Sequence, residues 1–165
     1  MKGLYNMKLL IIRHGDPDYS IDSLTEKGWR EAELLSERIS KLDVKAFYCS
    51  PLGRAKDTAS LTLKKMGREA ETLEWLKEFY YCQIKLPYIK EGTALTWDLL
   101  PSFFTHIDDL YDKDKFKDVD FMREGNYPEL YKNVTDGLDA LLEKHGYRRC
   151  GRYYETIEPN RDTIV

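Results

Sequence analysis

No apolar run in this sequence approaches the ~20 residues needed to span a bilayer, so a membrane partner is not expected. The amino-terminal stretch MKGLYNMKLLIIRHG sets one lysine before a short apolar run and has no small-residue cleavage site, so it reads as a first strand and not as a leader. Cysteine is scarce: Cys49, Cys82 and Cys150 are odd in number and lack CxxC spacing, which points away from a zinc site or a disulfide framework and toward a reducing cytoplasm. Charge of one sign is lacking too. The formal net charge is −3 with acids and bases interspersed, which excludes a general nucleic-acid binder but leaves room for a local basic pocket.

What is present suits one domain spanning 1–165, with 42% hydrophobic and 33% charged residues. Lys8 to Ile12 (KLLII) reads as a strand covered on both faces, as in a parallel sheet. In LTEKGWREAELLSERISKL, Thr25 is a plausible N-cap, and Ala32, Leu35, Ile39 and Leu42 recur at helical spacing. VKAFYCS follows as a second strand. In SPLGRAKDTASLTLKKMG, Ser50 can cap, Pro51 suits the first helical position and Gly67 the stop. REAETLEWL offers a third strand, and the alternation predicts a three-layer α/β/α fold with a mostly parallel central sheet.

A mostly helical insertion is expected over about 86–120; its acidic run lacks the glycine and closing glutamate of a calcium loop, and no metal or cofactor is expected. YPELYKNVTDGLDALLEKHG predicts a helix with Leu130, Val134, Leu138 and Leu141 in register and Gly146 as its stop. The tail reads as a strand, a turn around Glu158 to Asp162, and the opening of a late strand inside which the chain breaks off.

The chemistry gathers at Arg13, His14 and Arg54. In open parallel sheets ligands sit beyond the carboxyl ends of the strands. Arg13 and His14 follow the first strand directly, and Arg54 lies in the first turn of the helix after the second. Two guanidinium forks and a helix N-terminus make a site for a tetrahedral dianion such as a phosphoryl group. A third arginine would bind phosphate better than His14 does; a neutral imidazole has a lone pair and can attack phosphorus, provided an acceptor such as a loop carbonyl holds its other N–H. Taken alone, Arg-His-Gly reads equally as a core histidine beside a surface ion pair.

RHG after a first strand, LTEKGWREAELL after the loop, and SPLGRAKDTA after a second strand together resemble the histidine phosphatase (phosphoglycerate mutase-like) superfamily, with the match running from Lys8 to Ala59 and more loosely over Tyr127 to His145. The resemblance implies phosphoryl transfer through a phosphohistidine on His14, with Arg13 and Arg54 holding the phosphoryl oxygens. It implies a carboxylic acid that protonates the leaving oxygen: Glu78 fits the pattern best, with Glu74 and Glu91 as the other candidates. It places Ser20 where the family often has a phosphate-touching asparagine. It also implies a second histidine at the end of a later strand. Neither remaining histidine fits, since His106 follows no strand and His145 closes a helix, so the expectation is a chain that lacks its C-terminal portion.

The expected activity is a phosphatase for a small phosphorylated substrate, with Trp97, Phe103 and Phe104 of the insertion either lid or core. The alternatives are a non-catalytic phosphate-ligand-binding module and a phosphoglycerate mutase-type phosphotransferase. The oligomeric state is not legible.

Overall fold

The computed structural model describes residues 7–77, 79 and 82–165. The described residues up to Lys77 together with Asp139–Val165 form one compact unit, and those from Phe79 to Leu138 form another.

The first unit opens with strand β1 (Lys8–Leu9), followed by a small antiparallel hairpin, β2 (Pro17–Asp18) on β3 (Ser23–Leu24). Helix α1 (Glu26–Ile39) begins where the Thr25 side chain accepts a hydrogen bond from the Gly28 N–H, the cap that a threonine before EKG predicts. It buries Gly28, Ala32, Ser36 and Ile39, one stripe at helical spacing. Strand β4 (Tyr48–Cys49) leads to α2 (Gly53–Met66), which packs on α1 and ends at Gly67 in the left-handed conformation, φ +62°. Strand β5 (Glu71–Thr72) lies parallel to β4.

The second unit begins with an antiparallel pair, β6 (Gln83–Ile84) and β7 (Ala94–Leu95). Short helices follow, α3 (Pro101–Phe104) and α4 (Asp120–Glu124), with single 3₁₀ turns between them. The expected helical insertion therefore contributes a strand, β7, to a β pairing, and its helices are brief. The acids and aromatics of 97–120 break the helical register, so no long apolar stripe forms. Cys82, Ile84, Leu86 and Ala94 form this unit's core, with Phe103 and Phe121 against them; Phe103 and Phe104 are half-buried and Trp97 is exposed. Helix α5 (Tyr127–Lys144) has its residues up to Leu138 in this unit and those from Asp139 in the first, and it is followed by Gly146 at φ +83°.

A hairpin of β8 (Tyr147–Cys150) and β9 (Tyr153–Thr156) follows, then β10 (Thr163–Ile164). β10 lies parallel to β1, and Ala46, just before β4, bridges Ile164 in parallel; with β5 this makes a parallel order β1, β10, β4, β5. Ile39, Val44 and Phe47 anchor the core against Leu10, Leu35, Leu63 and Val165. Each such side chain contributes about 1.5–3 kcal/mol on burial. The result is a mixed α/β fold with parallel strand pairs and helices. β1 departs from expectation: Leu9, Ile11 and Ile12 are exposed, Ile11 to 86%. The strand itself ends at Leu9, and Leu10 is the residue of this run that packs on the core, so the run is not covered on both faces.

Among the described residues no helix is long and apolar enough to cross a membrane.

Candidate active site

His14 stands five residues beyond the end of β1. Its Nδ1 lies 2.8 Å from the Gly15 carbonyl oxygen. A carbonyl can only accept, so Nδ1–H donates, and in the neutral ring the lone pair sits on Nε2. The loop carbonyl that a nucleophilic imidazole needs is thus Gly15's own.

The loop's position is set by backbone packed on backbone. A Cβ placed on Gly15 would meet the Gly28 carbonyl oxygen at 2.8 Å, and one on Gly28 would meet that of Asp16 at 2.2 Å. Below about 3 Å something must shift, so both residues have to be glycine for the loop to lie on the first turn of α1. The Asp16 carbonyl accepts from the Thr25 N–H, and Asp16 Oδ2 accepts from the Thr25 hydroxyl at 2.7 Å; this bond holds the Asp16 carboxyl below its ordinary range.

α2 is tied to the same loop. Thr58 Oγ1 accepts from the Gly15 N–H at 3.0 Å and donates to the Arg54 carbonyl at 2.7 Å. One buried hydroxyl therefore joins the His14 loop to the turn that carries Arg54. The buried face of α2 is Arg54, Thr58 and Thr62, a polar stripe where an apolar one is usual.

The start of α2 differs from the sequence reading. The helix begins at Gly53, two residues after Pro51, and Leu52 holds the cap position with no side-chain hydrogen bond of its own. The cap comes from elsewhere in the chain: Asp22 Oδ2 accepts from the Gly53 N–H at 2.7 Å, and Asp22 Oδ1 accepts from Arg54 Nη1 at 2.7 Å. The Gly53 N–H, first among causes, and the Arg54 guanidinium hold the Asp22 carboxyl below its ordinary range. The Arg54 guanidinium carbon also lies 5.4 Å from the centre of the Tyr19 ring, and the arginine is buried to within 7%.

The remaining candidates are dispersed. Arg13 is exposed and forms no ion pair among the described residues. Ser20 is exposed at the hairpin tip, where its hydroxyl and its N–H both donate to Asp18 Oδ1, at 2.6 and 3.0 Å. Glu78 lies outside the described residues. Glu74 is exposed and paired with Lys77, and Glu91 is exposed in the second unit. His106 is exposed, while His145 is buried at the amino-terminal edge of the sheet, its Nε2 hydrogen-bonded to the Tyr48 hydroxyl at 2.8 Å. Burial pushes the Cys49 thiol up, so at neutral pH it stays protonated and is no rival nucleophile. Among the described residues no His, Cys, Asp or Glu cluster could hold a metal ion.

A family model of the histidine phosphatase superfamily (branch 1) matches residues 9–150. The chain belongs to that superfamily. It is 34% identical over 79 residues to a 2,3-bisphosphoglycerate-dependent phosphoglycerate mutase of Thermoplasma acidophilum, an overlap of 42% of this chain and 40% of the mutase, so the match spans less than half of that relative's length. Bacillus stearothermophilus YhfR shares the fold at a TM-score of 0.54 and 18% identity, over 97% of this chain and 73% of that one. A mycobacterial glucosyl-3-phosphoglycerate phosphatase aligns at 26% identity and a TM-score of 0.36, over 44% of this chain and 38% of its own.

In this histidine phosphatase chain, sequence reasoning missed Asp22, Thr58 and Tyr48. Thr58 had a legible signal, since it lies four residues after Arg54 and so shares its helix face. Asp22 had half of one, an aspartate in a turn where left-handed backbone is tolerated; its φ is +47°. Tyr48 had none.

Proposed function

We propose that this chain is a phosphatase for a small phosphomonoester, working through a phosphohistidine on His14. The observation that carries this reading is the Nδ1–H bond of His14 to Gly15, which leaves the ring's lone pair on Nε2. In the first step His14 Nε2 forms a bond to phosphorus while the bond from phosphorus to the alkoxy oxygen breaks. That oxygen takes a proton from a carboxylic acid, for which Glu78 is the proposed donor. In the second step water attacks phosphorus and gives a proton to the Glu78 carboxylate, the bond to Nε2 breaks, and inorganic phosphate leaves with His14 and Glu78 restored. Arg13 and Arg54 stabilise the charge on the transferring oxygens, and Ser20 would have to leave Asp18 to join them.

Water is the proposed acceptor, in preference to a second phosphorylated substrate. The mutase is nonetheless the relative with the higher identity, and a phosphorylated acceptor in the assay distinguishes the two outcomes. All three cysteines are free, and we place the activity in the cytoplasm.

The test is turnover of p-nitrophenyl phosphate by the wild type and by His14→Ala, with acid-labile, alkali-stable radiolabel sought on the protein from a labelled substrate. Turnover and label are expected in the wild type, and neither in the variant. Equal rates in the two proteins would discard the reading, and tight phosphate binding without turnover would favour the binding module.

A further inference from the structure

We propose that Asp22 is a positioning residue that holds Arg54 in the orientation a transferring phosphoryl group requires; the proposal rests on the phosphatase reading above. Asp22 spends its two carboxylate oxygens on adjoining groups of the same helix start, Oδ1 on Arg54 Nη1 and Oδ2 on the Gly53 N–H, each at 2.7 Å. The carboxylate therefore fixes the guanidinium relative to the backbone from which it springs.

The surroundings hold Asp22 in place. Its φ of +47° is left-handed, which a non-glycine residue adopts at a cost of roughly 1–2 kcal/mol. A Cβ on Gly53 would meet the Asp22 carbonyl oxygen at 2.0 Å, so the two backbones touch directly. The next residue is tied down as well, Ser23 Oγ donating to Asp57 Oδ2 at 2.5 Å on the second turn of α2. On the other side Tyr19, from the same hairpin, lies under the guanidinium. The hairpin between β2 and β3 thus serves as a cradle for one arginine.

Two effects of Asp22 oppose each other. Its negative charge beside an anion site weakens ground-state attraction for phosphate. Its hydrogen bonds remove the rotamer freedom that an arginine otherwise loses on binding. A guanidinium has five N–H donors, so serving Asp22 does not exhaust it. Orientation acts in the transition state and charge acts in both states, so positioning affects kcat and simple electrostatics affects KM.

Asp22→Gly is the informative substitution, because glycine accepts the left-handed backbone without strain. Kinetics with p-nitrophenyl phosphate are measured alongside the inhibition constant of inorganic phosphate and a circular-dichroism melt. The proposal expects kcat to fall about 10- to 100-fold, the scale of a hydrogen bond to a charged group, with phosphate inhibition unchanged or tighter. Asp22→Asn keeps one acceptor and should fall between, and Asp22→Gly should cost nothing further in an Arg54→Ala background. If Asp22→Gly melts below assay temperature, Asp22→Asn carries the same test. A folded Asp22 variant with kcat within twofold of wild type overturns this proposal alone. A wild type without turnover overturns the phosphatase reading and this one with it.

Discussion

The two ends of the parallel sheet use the same residue types for opposite purposes. At the carboxyl end, His14 is half-buried and fixed through Nδ1 to the Gly15 carbonyl, and Arg54 is fixed by a carboxylate from a neighbouring hairpin. At the amino end, His145 is buried and fixed through Nε2 to Tyr48, and its carbonyl accepts from Asn160 at 2.7 Å. There Arg68 donates to two backbone carbonyls, those of Val44 and Lys45, and Lys144 pairs with Glu71. A cavity of about 490 Å³ opens among them, lined by both signs of charge. The carboxyl end anchors its imidazole through Nδ1 to a backbone carbonyl, which puts the neutral ring's lone pair on Nε2. The amino end spends its polar atoms on one another. Both ends thus set a histidine near cations, and which ring nitrogen is anchored, and by what, separates the two.

Substitutions can break this comparison. The largest effect expected is on turnover by His14→Ala, a loss of at least about 10³-fold with little change in melting temperature, because the side chain holds no core together. Arg54→Ala comes next, at about 10²- to 10³-fold in kcat, the range for removing one donor to developing charge. It should also lower stability, since it leaves the Asp22 carboxylate short of a partner. His145→Ala should do the reverse. Leaving the Tyr48 hydroxyl without its partner is expected to cost about 1–3 kcal/mol in urea unfolding, with kcat unchanged. A His145 variant with impaired kcat and wild-type stability would show that the two ends are not separate in role.

The smallest effect is in pH. Burial holds the His145 pKa below its ordinary value, so the unfolded chain binds this proton more readily than the folded one. The stability from His145 is complete above the unfolded value, near 6.5, and is lost as pH falls from there toward the folded value. Melting temperature should therefore drop between about pH 7 and pH 5 in the wild type, and less in His145→Gln. Equal slopes in the two proteins would place the proton uptake elsewhere.

Much of this was legible in the chain because it is local. Thr25 as cap, Gly67 and Gly146 as stops and the stripe of α1 follow from residues within a turn or two of one another. A strand ahead of Arg13 and His14 was legible in the same way, but it ends at Leu9, four residues before Arg13, and not directly at the motif. The start of α2 was misjudged for the opposite reason: its cap is Asp22, 31 residues earlier, and no window across Ser50 and Pro51 contains it. The pairing of His145 with Tyr48 spans 97 residues and left no periodic trace. KLLII reads as a doubly covered strand because composition reports apolarity and not which faces other elements will cover.

The close approach of Gly15 and Gly28 has a bearing on how such a site can change. The segment between them is pinched shut at its base, by those glycines and by Asp16 with Thr25, while Tyr19 and Ile21 at its tip are 69% and 68% exposed. Of the residues at the tip, Tyr19 and Asp22 bear on Arg54, whereas the contacts that set the His14 backbone lie at the base. The one loop therefore answers to two separate sets of constraints: a change at its tip is felt first at Arg54, and a change at its base first at His14.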